Sequence, residues 1–129
     1  MKIISKNALN IVLGIISAVT IFHFCIILKV IPYNITWGGR LKNDSEMYIF
    51  EAFSIIINLF LMLVLLMKGG YLKFKFSEKV INVILWIFVI IFLLNTVGNV
   101  FAKTDFEKIF TGLTLLLAVL IWLIVRKKN

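Results

Sequence analysis

The sequence predicts an all-α protein: a four-helix bundle of antiparallel, up-and-down spans, integral to a membrane. Three observations carry that expectation. Of 129 residues, 62% are hydrophobic and the mean hydropathy is +1.08, whereas a soluble domain is about half apolar. Only 16% are charged, and those charges gather at the ends of apolar runs. Four runs, at about 9–28, 47–67, 80–101 and 108–125, are long enough to cross a bilayer, since ~20 helical residues span a hydrocarbon core of ~30 Å. The runs and their connections use nearly the whole chain, so residues 1–129 form one transmembrane unit.

Composition also excludes several classes. The net charge is +8, which in a soluble chain would point to nucleic acid. Here the basic residues flank apolar runs, as membrane topology requires, and no nucleic-acid partner is expected. There is one cysteine, Cys25, and one histidine, His23. That leaves no internal disulfide and no ligand set for zinc, so neither metal nor cofactor is expected. Lys2 and Lys6 precede an apolar stretch, as in a signal peptide, but the stretch is too long and lacks a small-residue cleavage site. Phe22, His23 and Phe24 before Cys25 do not make a lipoprotein cleavage pattern. The stretch therefore reads as a retained helix. Usage rich in Ile, Lys, Asn and Phe fits an AT-rich bacterial genome.

Span one, about Leu9 to Leu28, lies between Lys6 and Lys29. Pro32 stops it by lacking an amide donor and restricting its predecessor. Gly14, Ser17 and Ala18 suit close helix contact. The loop at 29–46 is the longest connection; Tyr33 and Trp37 fit an interfacial aromatic belt and Gly38-Gly39 marks a turn. Asn43 followed by Glu46 reads as a capping box that starts span two. That span, Met47 to Met67, ends before Lys68-Gly69-Gly70. In the loop at 68–79, Phe and Lys alternate over Tyr71 to Phe76, which reads as a short interfacial strand or turn with lysines toward anionic lipid. Ser77 is placed to cap span three. Span three, about Val80 to Phe101, is bulky, with Asn95, Thr96, Gly98 and Asn99 in its later half. Span four, about Lys108 to Val125, opens with Thr111, Gly112 and Thr114 and closes on Arg126-Lys127-Lys128.

Lys/Arg bias sets orientation. Nine basic residues fall on one side: Lys2, Lys6, Lys68, Lys73, Lys75, Lys79, Arg126, Lys127 and Lys128. Five fall on the other: Lys29, Arg40, Lys42, Lys103 and Lys108, offset there by Asp44, Glu46, Glu51, Asp105 and Glu107. Both termini and the loop at 68–79 are therefore expected in the cytoplasm, and the loop at 29–46 outside. Small dual-topology multidrug exporters share the span number, but their embedded glutamate is in the first span, where this chain has none.

With that orientation, polar groups collect at one depth. His23 lies about 7 Å, Glu51 about 6 Å and Asn95 about 9 Å from the outer ends of their spans, with Asn99 at about 3 Å. Thr111 and Thr114 are in the outer half of span four. A carboxylate inside a span is expensive and marks a functional site by default. The reading is an outward-facing pocket for a small molecule or lipid. Glu51 is its acid, His23 its proton partner, and Asn95 and Asn99, one turn apart, its amides. Tyr33, Trp37 and Arg40 line or cover it. The competing reading is that these groups only bind helix to helix for ~1 kcal/mol or less each, with Glu51 reaching the interface or pairing with Arg40 or Lys103. Cys25, two residues from His23, points away on a helix.

Three functions follow. The first is binding, or transport as an oligomer, of a small molecule or lipid at that pocket. The second is a non-catalytic accessory or assembly subunit with a membrane protein partner. The third is a lipid-acting enzyme with His23 and Glu51 as acid and base. No nucleophile elbow, metal motif or phosphate loop supports the third, so no catalytic residue is assigned. The layout, four spans with a glutamate just inside the second, resembles small four-span bacterial membrane proteins, including the DoxX-like group. That resemblance implies a bacterial inner-membrane location and nothing about chemistry.

Overall fold

The computed structural model describes residues 3–30, 43–73, 76–101 and 105–126, apart from the side chains of 3–5, 99 and 105–107. These residues form four helices and no strand: α1 Ile3–Ile27, α2 Asp44–Lys68, α3 Glu78–Val100 and α4 Asp105–Val125. At 1.5 Å per residue they are roughly 31–38 Å long, and all four are long and apolar enough to cross a membrane. The Phe/Lys alternation left a strand or a turn open, and the described residues there, 71–73 and 76, contain no strand. Residues 31–42, including Pro32 and Gly38-Gly39, lie outside the description.

The helix ends follow local chemistry. Asn43 is the N-cap of α2, its side chain accepting from the Glu46 amide at 2.9 Å, which satisfies a donor the helix leaves free. Ser77 caps α3 in the same way, accepting from the Val80 amide at 3.3 Å. At the end of α2 the Tyr71 amide donates to the Leu66 carbonyl and the Gly70 amide to that of Met67. This is a Schellman closure around Gly70, whose φ of 79° glycine adopts without strain. α1 ends identically, Val30 to Cys25 and Lys29 to Ile26, but the left-handed residue is Lys29, φ 63°.

Each helix buries one stripe. In α2 the buried positions Met47, Glu51, Ile55, Asn58, Leu61 and Leu65 are three or four residues apart, the spacing of a helix with one inward face. In α1 the stripe is Leu9, Val12, Ile16 and Thr20. The other faces carry exposed Phe, Ile, Leu and Val, as helices in lipid do.

One apolar core joins all four helices, with Leu9, Leu61, Leu65, Leu85 and Ile121 fully buried in it. A second, small cluster pairs Ile26 with Met47, with Phe22 and Ile27 against it. α3 and α4 pack most extensively, followed by α1 with α2, α1 with α4 and then α2 with α3. Where α1 begins and α2 ends, Lys6 Nζ donates to the Gly69 carbonyl at 2.8 Å and lies 4.0 Å over the Tyr71 ring. The Tyr71 hydroxyl reaches Asn10 Oδ1 at 2.7 Å. Nearby, Lys68 donates to Glu78 and, at 2.8 Å, to Asn82 Oδ1, joining α2 to α3.

Candidate functional site

The α1–α2 contact is built in rungs. Lys29 and Asp44 form an exposed ion pair where the two helices meet the 31–42 segment. One turn further in, Ile26 and Met47 are both fully buried and share a cluster. One turn deeper again, His23 Nδ1 and Glu51 Oε2 are 2.6 Å apart. His23 and Ile26 are three residues apart on α1, Lys29 follows just past the end of that helix, and the α2 members are spaced by three and four, which puts them on one face of α2. A polar pair therefore sits beneath an apolar plug, and the plug beneath a surface ion pair.

Burial of the pair is unequal. The Glu51 side chain has no exposure and that of His23 keeps 17%. The His23 ring packs edge-on to Phe22, with centroids 5.8 Å apart, and Phe22 meets Phe110 of α4 at 5.6 Å. The edge-on and tilted geometries are the ones aromatic rings prefer, and they link the imidazole through Phe22 to α4. One proton lies between the paired atoms. It is either on Nδ1, donating to the carboxylate, or on the carboxyl, donating to Nδ1. In both arrangements Glu51 Oε2 is used.

Glu51 Oε1 is not used. It is buried and has no hydrogen-bond partner among the described residues. Two turns deeper on the same face of α2, Asn58 Nδ2 is likewise buried and unpartnered, and so is Thr111 Oγ1 on α4. Leaving a buried polar atom unsatisfied costs about 1–3 kcal/mol, and native proteins tolerate few such atoms. Three other hydroxyls at this end have partners. Thr20 donates to the Ile16 carbonyl at 2.7 Å, and Thr96 meets Thr114 at 2.8 Å across α3 and α4, each within 2.8 Å of a carbonyl on its own helix. Thr96 and Thr114 are thus helix-to-helix fastening, whereas Glu51 and Asn58 keep unused hydrogen-bonding capacity.

Of the residues singled out from the sequence, the structure brings His23 and Glu51 together. Asn95 is on an exposed position of α3, with no hydrogen bond to the pair. The side chain of Asn99, and all of Tyr33, Trp37 and Arg40, lie outside the described residues, as does Lys103. Asn58 follows Glu51 by seven residues, which puts both on one helical face, but its unpartnered amide needs knowledge of what faces it. The Ile26–Met47 plug was equally invisible, because two apolar residues among dozens carry no mark. Among the described residues, no group of three or more His, Cys, Asp or Glu is placed to hold a metal ion. The site can hold a proton between Nδ1 and Oε2, and it can accept a hydrogen bond at Oε1 and donate one from Asn58. No protein-family model, no curated protein and no solved structure matches the chain.

Proposed function

We propose that this protein lies in a bacterial plasma membrane as an antiparallel bundle with both termini cytoplasmic. There it binds a small molecule or lipid at the His23–Glu51 pair in the outer half of the bundle. The observation that carries this reading is the unpartnered Oε1 of a fully buried carboxylate. Glue between helices explains Oε2, which His23 engages. It does not explain a second buried oxygen with no hydrogen-bond partner among the described residues, since such a group is costly in a low-dielectric interior. The orientation is supported by the nine-to-five Lys/Arg bias. The reading assigns no catalytic residue, no metal and no cofactor, and it keeps the layout resemblance to DoxX-like proteins as a statement about location alone.

Native mass spectrometry of the gently extracted protein, wild type beside Glu51→Gln, tests this. A bound molecule present in the wild type and lost in the variant is the expected result. A stoichiometric protein partner, with no small ligand in either sample, would replace this reading with that of an assembly subunit.

A further inference from the structure

Resting on that reading, we infer the ligand's chemistry: an amphiphile with an ammonium head that donates to Glu51 Oε1 and an oxygen acceptor deeper down that takes the Asn58 amide. The open atoms select it. Oε1 of Glu51 is an acceptor only, and it belongs to a group that can carry a negative charge, so an anionic head is repelled there. A charged N–H donor makes a charge-assisted bond, roughly twice as strong as a neutral one. Asn58 Nδ2 is a donor only and calls for a carbonyl or phosphate oxygen. Residues 51 and 58 lie on one helical face, about 10.5 Å apart along the axis. That gap is within reach of an extended ethanolamine phospholipid, from its nitrogen to its ester carbonyls. The order also fits, since Glu51 is nearer the helix end and Asn58 nearer its middle.

Entry from the side fits better than entry from the helix ends. The fully buried Ile26 and Met47 stand between the pair and the Lys29–Asp44 rung. Beside the pair, His23 is the partly exposed member, its side chain keeping 17% of its exposure. Swinging the imidazole aside gives up the 2.6 Å bond and opens Glu51 toward the surface on which His23 is exposed. A lipid already in the bilayer meets that surface; a free amine would have to cross the plug.

The test is the thermal midpoint of the full-length protein in detergent, followed by tryptophan fluorescence. Three additions are compared: an ethanolamine phospholipid, the choline phospholipid with the same acyl chains, and free ethanolamine. The choline head is a cation without N–H donors. We expect the ethanolamine lipid to raise the midpoint by about 4–7 °C at tenfold excess over its Kd, and the choline lipid to give no comparable shift. Glu51→Gln should abolish the shift and Asn58→Leu should reduce it. Should either variant fold poorly, the ethanolamine-versus-choline contrast in the wild type decides alone. Protection by free ethanolamine as well would keep the ammonium chemistry and assign it a soluble source. Equal protection by both lipids, or a shift that survives in Glu51→Gln, overturns the inference. An adduct lost from Glu51→Gln in mass spectrometry, without any ethanolamine shift, overturns it too while leaving the binding site standing.

Discussion

At the level of single residues, the cost of a substitution at the His23–Glu51 pair depends on what is left behind. His23→Leu strands a carboxyl group with no exposure. Removing one partner of a buried pair costs about 3–5 kcal/mol, mostly the penalty of the group that remains. Glu51→Gln keeps an acceptor oxygen and adds an amide that can donate to Nδ1, so its cost should be about 1 kcal/mol. The double variant His23→Leu/Glu51→Leu removes both polar groups from an apolar layer. It should be more stable than His23→Leu alone, a non-additivity expected only of groups in contact. Thermal unfolding of these proteins and of Glu51→Leu, which closes the cycle, in one detergent checks this, and a double variant less stable than His23→Leu would contradict the pairing. These two residues were legible in the sequence because a carboxylate and a histidine inside apolar runs are rare and costly. Counting residues from the run ends then put them at one depth. Nothing comparable marks Asn58, since an asparagine with partners and one without read alike in a sequence.

At the level of helices, what was legible was what is local. Asn43, Ser77 and Gly70 act within four residues of themselves, so their types and positions declare the caps. The Lys6–Gly69 and Tyr71–Asn10 contacts join residues 63 and 61 apart, and no local signal announces them. The two Schellman closures make a matched pair for experiment. Gly70→Ala puts a side chain on a left-handed residue, which costs about 1 kcal/mol. Lys29→Gly runs the other way. It relieves a similar cost at φ 63° while losing an exposed ion pair to Asp44 that contributes ~0–1 kcal/mol. Gly70→Ala should lower the thermal midpoint by about 3–5 °C, and Lys29→Gly should leave it unchanged or raise it. Equal losses in both would show that the ion pair, and not backbone strain, governs the end of α1.

At the level of the whole molecule, two properties run along the same axis. The large apolar core lies toward the end where α1 begins and α2 finishes, and the His23–Glu51 pair and the Thr96–Thr114 contact lie toward the other. The sequence count of basic residues, nine against five, divides the same way if successive spans alternate in direction. If the basic side is cytoplasmic, the polar end lies in the outer leaflet, and the ligand proposed above would come from there; inversion would turn the same site toward the cell interior. Cysteine labelling separates the two. In a Cys25→Ser background, Asn7→Cys marks one end and Ser45→Cys the other, both exposed positions. A membrane-impermeant maleimide applied to intact cells should label Ser45→Cys and spare Asn7→Cys, and both should react once the membrane is opened. The reverse pattern would put the carboxylate in the inner half. Partial labelling of both in intact cells would mean that the charge bias does not decide insertion, and that copies of the chain face both ways. Only the first outcome lets a single population of sites sample the outer leaflet, so this measurement fixes which leaflet's lipids are relevant to Glu51.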